Sequence, residues 1–184
     1  AKQFDLLAHD QRGLGRTASP PVPYSMADYA RDALALLDHV GWATCRVVGI
    51  SFGGMVAQEL AVTAPDRVER LALVCTSAGG DAGASYPLHE LELLPRDERL
   101  AIGTKISDTR FTPEWLADPA NAFDKLLVDG RNAAELSNDA VGRRGMHEQL
   151  QARSRHDVTA RLHAIKCPTL VAAGRFDGTA PPEN

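Results

Sequence analysis

The segment from Cys45 to Leu60, CRVVGISFGGMVAQEL, sets a single serine, Ser51, between Gly49 and Gly53. A serine hydroxyl is a weak nucleophile at its ordinary pKa. An enzyme that uses one must expose it, place a base beside it and hold donors ready for the oxyanion on the attacked carbonyl. A tight turn from a strand into a helix meets the first and last needs together. Gly49 and Gly53 permit close backbone approach, Ser51 occupies the tip, and the backbone N–H of Phe52, opening the helix, faces the oxyanion. The same residues would also describe a serine that caps a helix between packing glycines, but a strand before it and a helix after it favour the nucleophile.

Two other groups of residues invite a chemical reading. GLGRTA places Gly13, Gly15 and Ala18 at the small positions of the loosest dinucleotide fingerprint. That motif works only where a helix N-terminus follows to face a pyrophosphate. Here Ser19-Pro20-Pro21-Val22-Pro23 follows, and three prolines remove donors and disfavour helical dihedrals before them. A nucleotide is therefore rejected and no cofactor is expected. Cys45, Cys75 and Cys167 form no CxxC pair and lie in or beside apolar runs, as reduced core thiols do, so no metal site is expected.

The elements that would position Ser51 can be traced along the chain. Four short apolar runs read as parallel strands covered on both faces: Phe4 to Ala8, Cys45 to Ile50, Leu71 to Cys75 and Thr169 to Gly174. Between the first two, Ser25 and Asp28 stand in capping-box spacing at the head of a helix whose apolar face carries Tyr29, Ala33, Leu34, Leu37 and Val40 and which stops at Gly41. A second helix is expected from Phe52 to Ala64, ended by Pro65. This alternation predicts an α/β fold with a parallel sheet flanked by helices. From Ala78 to Lys166 it breaks into helix-like pieces, among them one capped by Thr112 with Pro113 in its first turn. That stretch is too long for a connecting loop and reads as an inserted helical cap. The expected division is a first core part over 1–77, the cap over 78–166 and a second core part over 167–184.

Composition narrows the partners. Of the 184 residues, 44% are hydrophobic and 24% charged, and the formal net charge is −4. No stretch gathers enough lysine and arginine to hold a polyanion, so no nucleic acid is expected. Neither a spanning apolar run nor a signal-peptide pattern occurs, so no membrane is expected and a cytoplasmic protein acting on a small molecule is the simplest reading.

The chain resembles the α/β-hydrolases, in the branch of enol-lactonases and related esterases. HDQRGLGRT is similar to that branch's turn after an early strand, GISFGGMVAQELAVTAPDRVERLALVCTS to its nucleophile elbow and next unit, and CPTLVAAGRFDGTAPPEN to its acid-bearing strand and turn. The resemblance implies that Ser51 is the nucleophile, that Phe52 N–H is an oxyanion donor and that Asp177 is the acid that orients a histidine; a plain Asp-Gly turn at Asp177 and Gly178 is the alternative. It implies a small-molecule ester or lactone as substrate, with no substrate-binding residue assigned.

The family's order is serine, acid, histidine, yet no histidine follows Asp177. The family's second oxyanion donor belongs to a loop preceding the region matched by the first run. The chain is accordingly expected to be a fragment lacking N-terminal strands and the C-terminal histidine region, and to be nearly inactive by itself. His9, His39, His89, His147, His156 and His163 are expected to be turn, helix-end or surface groups rather than the base, and Arg143, Arg144, Arg153 and Arg155 a solvated helix face rather than a carboxylate clamp. Two other functions stay open: a cofactor-free oxidoreductase or acyltransferase on the same triad, and a catalytically incomplete module. By family strand order, a further strand lies between the run at Phe4 and that at Cys45. Its place is expected to be taken by separate chain, by a second copy in a homo-oligomer joined through unpaired sheet edges, or by direct pairing of the two runs.

Overall fold

A computed structural model describes residues 3–80, 83, 85–136 and 140–184 of the chain. Three strands, β1 (Cys45–Ile50), β2 (Val68–Val74) and β3 (Thr169–Ala172), form one parallel sheet in the order β1-β2-β3. The register pairs Val48 with Ala72 and Ala72 with Leu170, so consecutive rows of side chains alternate between the two faces. No helix among the described residues is long and apolar enough to cross a membrane.

One face of β1 and β2 is covered, while β3 is exposed on both. Helix α1 (Met26–His39) begins at the expected capping box: Ser25 Oγ accepts from Asp28 N–H at 3.3 Å, and Ser25 N–H donates to Asp28 Oδ2 at 2.8 Å. It buries Met26, Tyr29, Ala30 and Leu37. Helix α2 (Phe52–Thr63) is apolar nearly all round and buries every residue from Gly54 to Ala61, as a helix wedged between a sheet and a second helix must. Ala57, Leu60 and Ala61 of α2 meet Ala30 of α1 and Val68, Leu71 and Leu73 of β2 in one apolar cluster.

The opposite face is bare, which corrects the expectation of strands covered on both sides. Val48 and Ile50 of β1 are 69% and 62% exposed, and Leu170 of β3 is 62% exposed. A near-continuous apolar run specifies a strand without specifying what covers it. The run Phe4 to Ala8 is also corrected: it forms no strand, and Phe4 and Leu6 are 61% and 92% exposed. A strand is held by a neighbour's backbone groups, and no described strand pairs with this segment. The run at Phe4 and β1 do not pair directly; the segment passes as coil, with the Arg46 guanidinium 5.6 Å from the Phe4 ring centre.

The helical pieces after residue 78 all form: α3 (Leu88–Leu91), α4 (Arg96–Ser107), α5 (Pro113–Ala117), α6 (Ala122–Leu136) and α7 (Ala140–Ser154). Thr112 caps α5 by accepting from Trp115 N–H at 3.2 Å. A 3-10 helix, Thr159–Ala164, returns the chain to β3. The turn at Gly13 and Gly15 is closed by Gly13 N–H to Ala18 O at 3.1 Å, and the next helix begins only at Met26. The three cysteines are free and half-buried.

Candidate active site

Because the sheet is parallel, β1, β2 and β3 all end at one edge; Ser51 and Thr76 stand there, Thr76 Oγ1 donating to Ser51 O, and Asp177 comes later in the chain after β3. Ser51 follows β1 immediately and stands exposed, with φ 52° and ψ −120°. A positive φ in a non-glycine residue is costly and persists only where its surroundings impose it. Ser51 N–H donates to Val74 O at 2.9 Å, and Ser51 O accepts from Gly54 N–H at 2.9 Å and from Thr76 Oγ1 at 2.8 Å. Its side chain makes no capping hydrogen bond to α2, which removes the local reason for a serine at a helix start.

The glycines of the elbow divide unequally. A Cβ at Gly49 would lie 2.5 Å from Gly53 O and 2.8 Å from the Ala57 Cβ, and one at Gly54 would lie 2.5 Å from the Thr76 side chain. A Cβ at Gly53 meets nothing within 4 Å. Gly49 thus approaches the Gly53 backbone closely, as expected, but it is Gly54 and not Gly53 that supplies the second position where a side chain would clash. Gly54 and Thr76 are the site-forming residues that sequence reasoning missed, because their contact joins the starts of two units 22 positions apart.

Phe52 is the first residue of α2, so its N–H has no intrahelical acceptor. Its ring packs edge-on against Tyr29 at 5.0 Å between centres, and Tyr29 in turn packs against Tyr24 at 6.1 Å. Arg12 lies beside both tyrosine rings, at 5.4 and 5.8 Å, and is held by two bonds of 2.7 Å to Asp32. The hydrogen bond to the Asp32 carboxylate raises the guanidinium pKa. The early turn therefore buttresses the elbow from behind through α1.

Asp177 follows β3 and is half-buried. Its Oδ1 accepts from Thr179 N–H and Ala180 N–H, both at 2.8 Å, a turn of the kind an Asp-Gly pair forms for local reasons. The turn is braced by the helical segment: Gly178 N–H donates to Ile106 O at 3.0 Å, Thr109 N–H to Phe176 O at 2.8 Å, and Tyr86 N–H to Thr179 O at 2.8 Å. Arg153 of α7 is buried and donates to Tyr86 O at 2.8 Å and to Ser85 Oγ at 2.6 Å, so it is no part of a solvated face. Burial lowers its pKa.

Among the described residues no histidine hydrogen-bonds Ser51 or Asp177. His147 pairs with Glu92 at 2.8 Å, and His156 is buried between the helices with no partner on either ring nitrogen. No group of three or more histidine, cysteine or acidic side chains able to hold a metal occurs among the described residues.

The family model described as alpha/beta hydrolase fold matches residues 1–184. The 3-oxoadipate enol-lactonase 2 of Acinetobacter baylyi is 29% identical over 177 residues, covering 95% of this chain and 62% of that protein. A protein named as a carbamate hydrolase, RutD, from Variovorax paradoxus is 31% identical over 180 residues, covering 96% and 65%. The crystal structure of a hydrolase from Pseudomonas aeruginosa PA01 superposes with a TM-score of 0.65 at 31% identity, covering 94% of this chain and 62% of that one. The chain thus spans a little under two thirds of the length of these relatives.

Proposed function

The chain belongs to the alpha/beta hydrolase fold family, and on that footing we propose that it carries the nucleophile and acid of a cofactor-independent serine hydrolase for a small-molecule ester or lactone. The observation that carries this reading is Ser51: exposed, at φ 52°, with its side chain making no helix-capping bond. A strained serine with no structural employment at the end of a strand is what nucleophilic attack requires.

In the proposed mechanism Ser51 Oγ attacks the carbonyl carbon, and its proton passes to an imidazole standing between Ser51 and Asp177. The negative charge on the carbonyl oxygen meets Phe52 N–H at the positive end of α2. Collapse of the tetrahedral intermediate expels the alcohol, which takes the proton from the imidazolium. Water activated by the same base then releases the acid and frees Ser51. Asp177 holds the imidazole through Oδ2, since Oδ1 is engaged by its own turn. Ser51 and Asp177 follow strands separated by β2, and those strands stand about 10 Å apart at two strand spacings. That span suits an imidazole with a hydrogen bond at each end. The base is proposed to come from outside the 184 residues, with 1–77 and 167–184 forming the core and 78–166 the cap over the site. The relatives' names for enol-lactone and carbamate hydrolysis support an acyl-transfer substrate. The three unpaired thiols suit a cytoplasmic setting. The isolated chain is further proposed to self-associate through the open edges of β1 and β3.

Chemical rescue tests the reading. The chain alone should hydrolyse p-nitrophenyl acetate at close to the buffer rate. Added imidazole should give a saturable rate above the sum of its own and the chain's, and Ser51→Ala should remove that increment. An increment equal in Ser51→Ala would discard Ser51 as nucleophile. Turnover without imidazole that Ser51→Ala abolishes would point to a base within the chain.

A further inference from the structure

Among the described residues, two that are not glycine hold a positive φ: Ser51 at 52° and Cys75 at 50°. The first is accounted for by the exposure of its hydroxyl. The second has no such account: Cys75 follows β2, its thiol is free and half-buried, and its N–H donates to Ala172 O at 2.8 Å. A conformation that costs the fold is kept for what it presents, and the residue that Cys75 presents is Thr76.

Thr76 is pressed against the elbow from outside the helix. Its Oγ1 donates to Ser51 O at 2.8 Å, and its side chain stands so close to α2 that a Cβ at Gly54 would lie 2.5 Å from it. The Ser51 carbonyl already accepts from Gly54 N–H at 2.9 Å and from Met55 N–H at 3.4 Å, the opening bonds of α2, so it does not need Thr76 to be satisfied. What the added bond does follows from the geometry of a peptide. Ser51 O and Phe52 N–H belong to one planar trans unit, in which C=O and N–H point in opposite directions. Holding the oxygen therefore fixes the direction of the N–H, and a hydrogen bond accepted at the oxygen polarises the N–H at the other end.

Resting on the hydrolase reading, in which Phe52 N–H receives the oxyanion, we propose that Thr76 is a positioning residue for that donor: its hydroxyl, brought in by the strained Cys75, orients and polarises the Ser51–Phe52 peptide. This role joins three features that otherwise have separate causes: the positive φ at Cys75, the glycine at position 54 that admits the threonine, and a hydroxyl bonded to a carbonyl that already has its helical partners. Thr76 touches no substrate in this role. It acts on the transition state through the backbone, so its loss slows turnover without weakening the binding of ester or base.

The test compares the full 184-residue chain with Thr76→Val, which keeps the shape and removes the hydroxyl, and Thr76→Ser, which keeps the hydroxyl, on p-nitrophenyl acetate with added imidazole. Thr76→Val should lower the saturating imidazole-dependent rate about tenfold at unchanged half-saturating concentrations of ester and imidazole, and Thr76→Ser should recover most of it. Thr76→Ala, which removes the hydroxyl and the crowding together, should repeat the loss, so the result does not rest on the folding of one variant. NMR supplies a readout that a loosened fold would not give: the Ser51 carbonyl-carbon and Phe52 amide resonances should move in Thr76→Val and return in Thr76→Ser while the amides of α1 stay in place. A Phe52 amide unmoved in Thr76→Val, a Thr76→Val rate equal to the parent's, or an equal loss in Thr76→Ser would each overturn the role of the hydroxyl and leave the hydrolase reading standing. A parent chain with no imidazole-dependent rate that Ser51→Ala removes would discard that reading and this role with it, and the parent is measured first, so the two failures are told apart.

Discussion

Two turns follow the strands on either side of β2, and they are built on opposite principles. At Ser51 the backbone takes a conformation that L-residues avoid, and the side chain returns nothing to the local structure. At Asp177 the backbone is held by the side chain itself, through two hydrogen bonds of 2.8 Å. The first turn is imposed from outside, by Val74, Thr76 and the crowding at Gly49 and Gly54; the second is tied by its own side chain and only braced from outside, by Ile106, Thr109 and Tyr86. A residue whose conformation costs the fold and contributes nothing locally is informative about function. One whose conformation is explained locally is not, so the role of Asp177 must be tested by separating its turn from its charge.

The largest effect is expected at the imposed turn. Ser51→Gly should raise stability by about 1 kcal/mol, because glycine adopts positive φ without strain, while abolishing the imidazole-dependent rate completely. The two outcomes together, read by urea denaturation and ester hydrolysis, would separate function from structure at this position. In a complete triad the loss of the serine costs on the order of 10⁶ in turnover. A Ser51→Gly chain less stable than its parent would mean that the serine supports the fold, and the contrast with Asp177 would collapse.

Gly49→Ala comes next. The added methyl would meet Gly53 O at 2.5 Å and the α2 backbone at Gly54 at 2.7 Å, neither of which can yield without moving the elbow. A loss of about 3 kcal/mol is expected from overpacking of this kind, seen as a lower denaturation midpoint.

At the relaxed turn, Asp177→Ala removes the acceptor of two N–H groups and should cost about 1–2 kcal/mol. Asp177→Asn keeps an acceptor oxygen and should stay within about 0.5 kcal/mol of the parent. If Asp177 also orients the base, Asp177→Asn will lower the imidazole-dependent rate at unchanged stability. A rate equal to the parent's would leave Asp177 as a turn residue only.

The same contrast explains what was legible in the sequence. The elbow could be read from residues 45–60 because a strand, a tight turn and a helix are each written locally, and so could α1, whose Ser25 and Asp28 satisfy each other within one turn. Asp177 carried no such signal beyond a turn, and only resemblance gave it a role. Contacts between distant segments left no trace: the Thr76 hydroxyl on Ser51 O, the Arg153 bonds to Ser85 and Tyr86, and the partnerless His156. The run at Phe4 misled for a related reason. An apolar run reports a preference for burial, and a strand exists only where a neighbour supplies the other half of its hydrogen bonds.

The smallest effect is expected at Gly53, and it bears on what the elbow faces. Gly53 is the second residue of α2, and a Cβ there meets nothing within 4 Å. Alanine is the better helix former by up to about 1 kcal/mol, so Gly53→Ala should be neutral or slightly stabilising in urea. Neither packing nor backbone conformation explains a glycine at this position in the 184-residue chain. The open space lies in the first turn of α2, one residue after Phe52. If substrate or a second oxyanion donor comes there during catalysis, Gly53→Ala will lower the imidazole-dependent rate while stability holds or rises. A rate and a stability both equal to the parent's would show that this space takes no part in the reaction, leaving Gly49 and Gly54 as the only glycines the elbow needs.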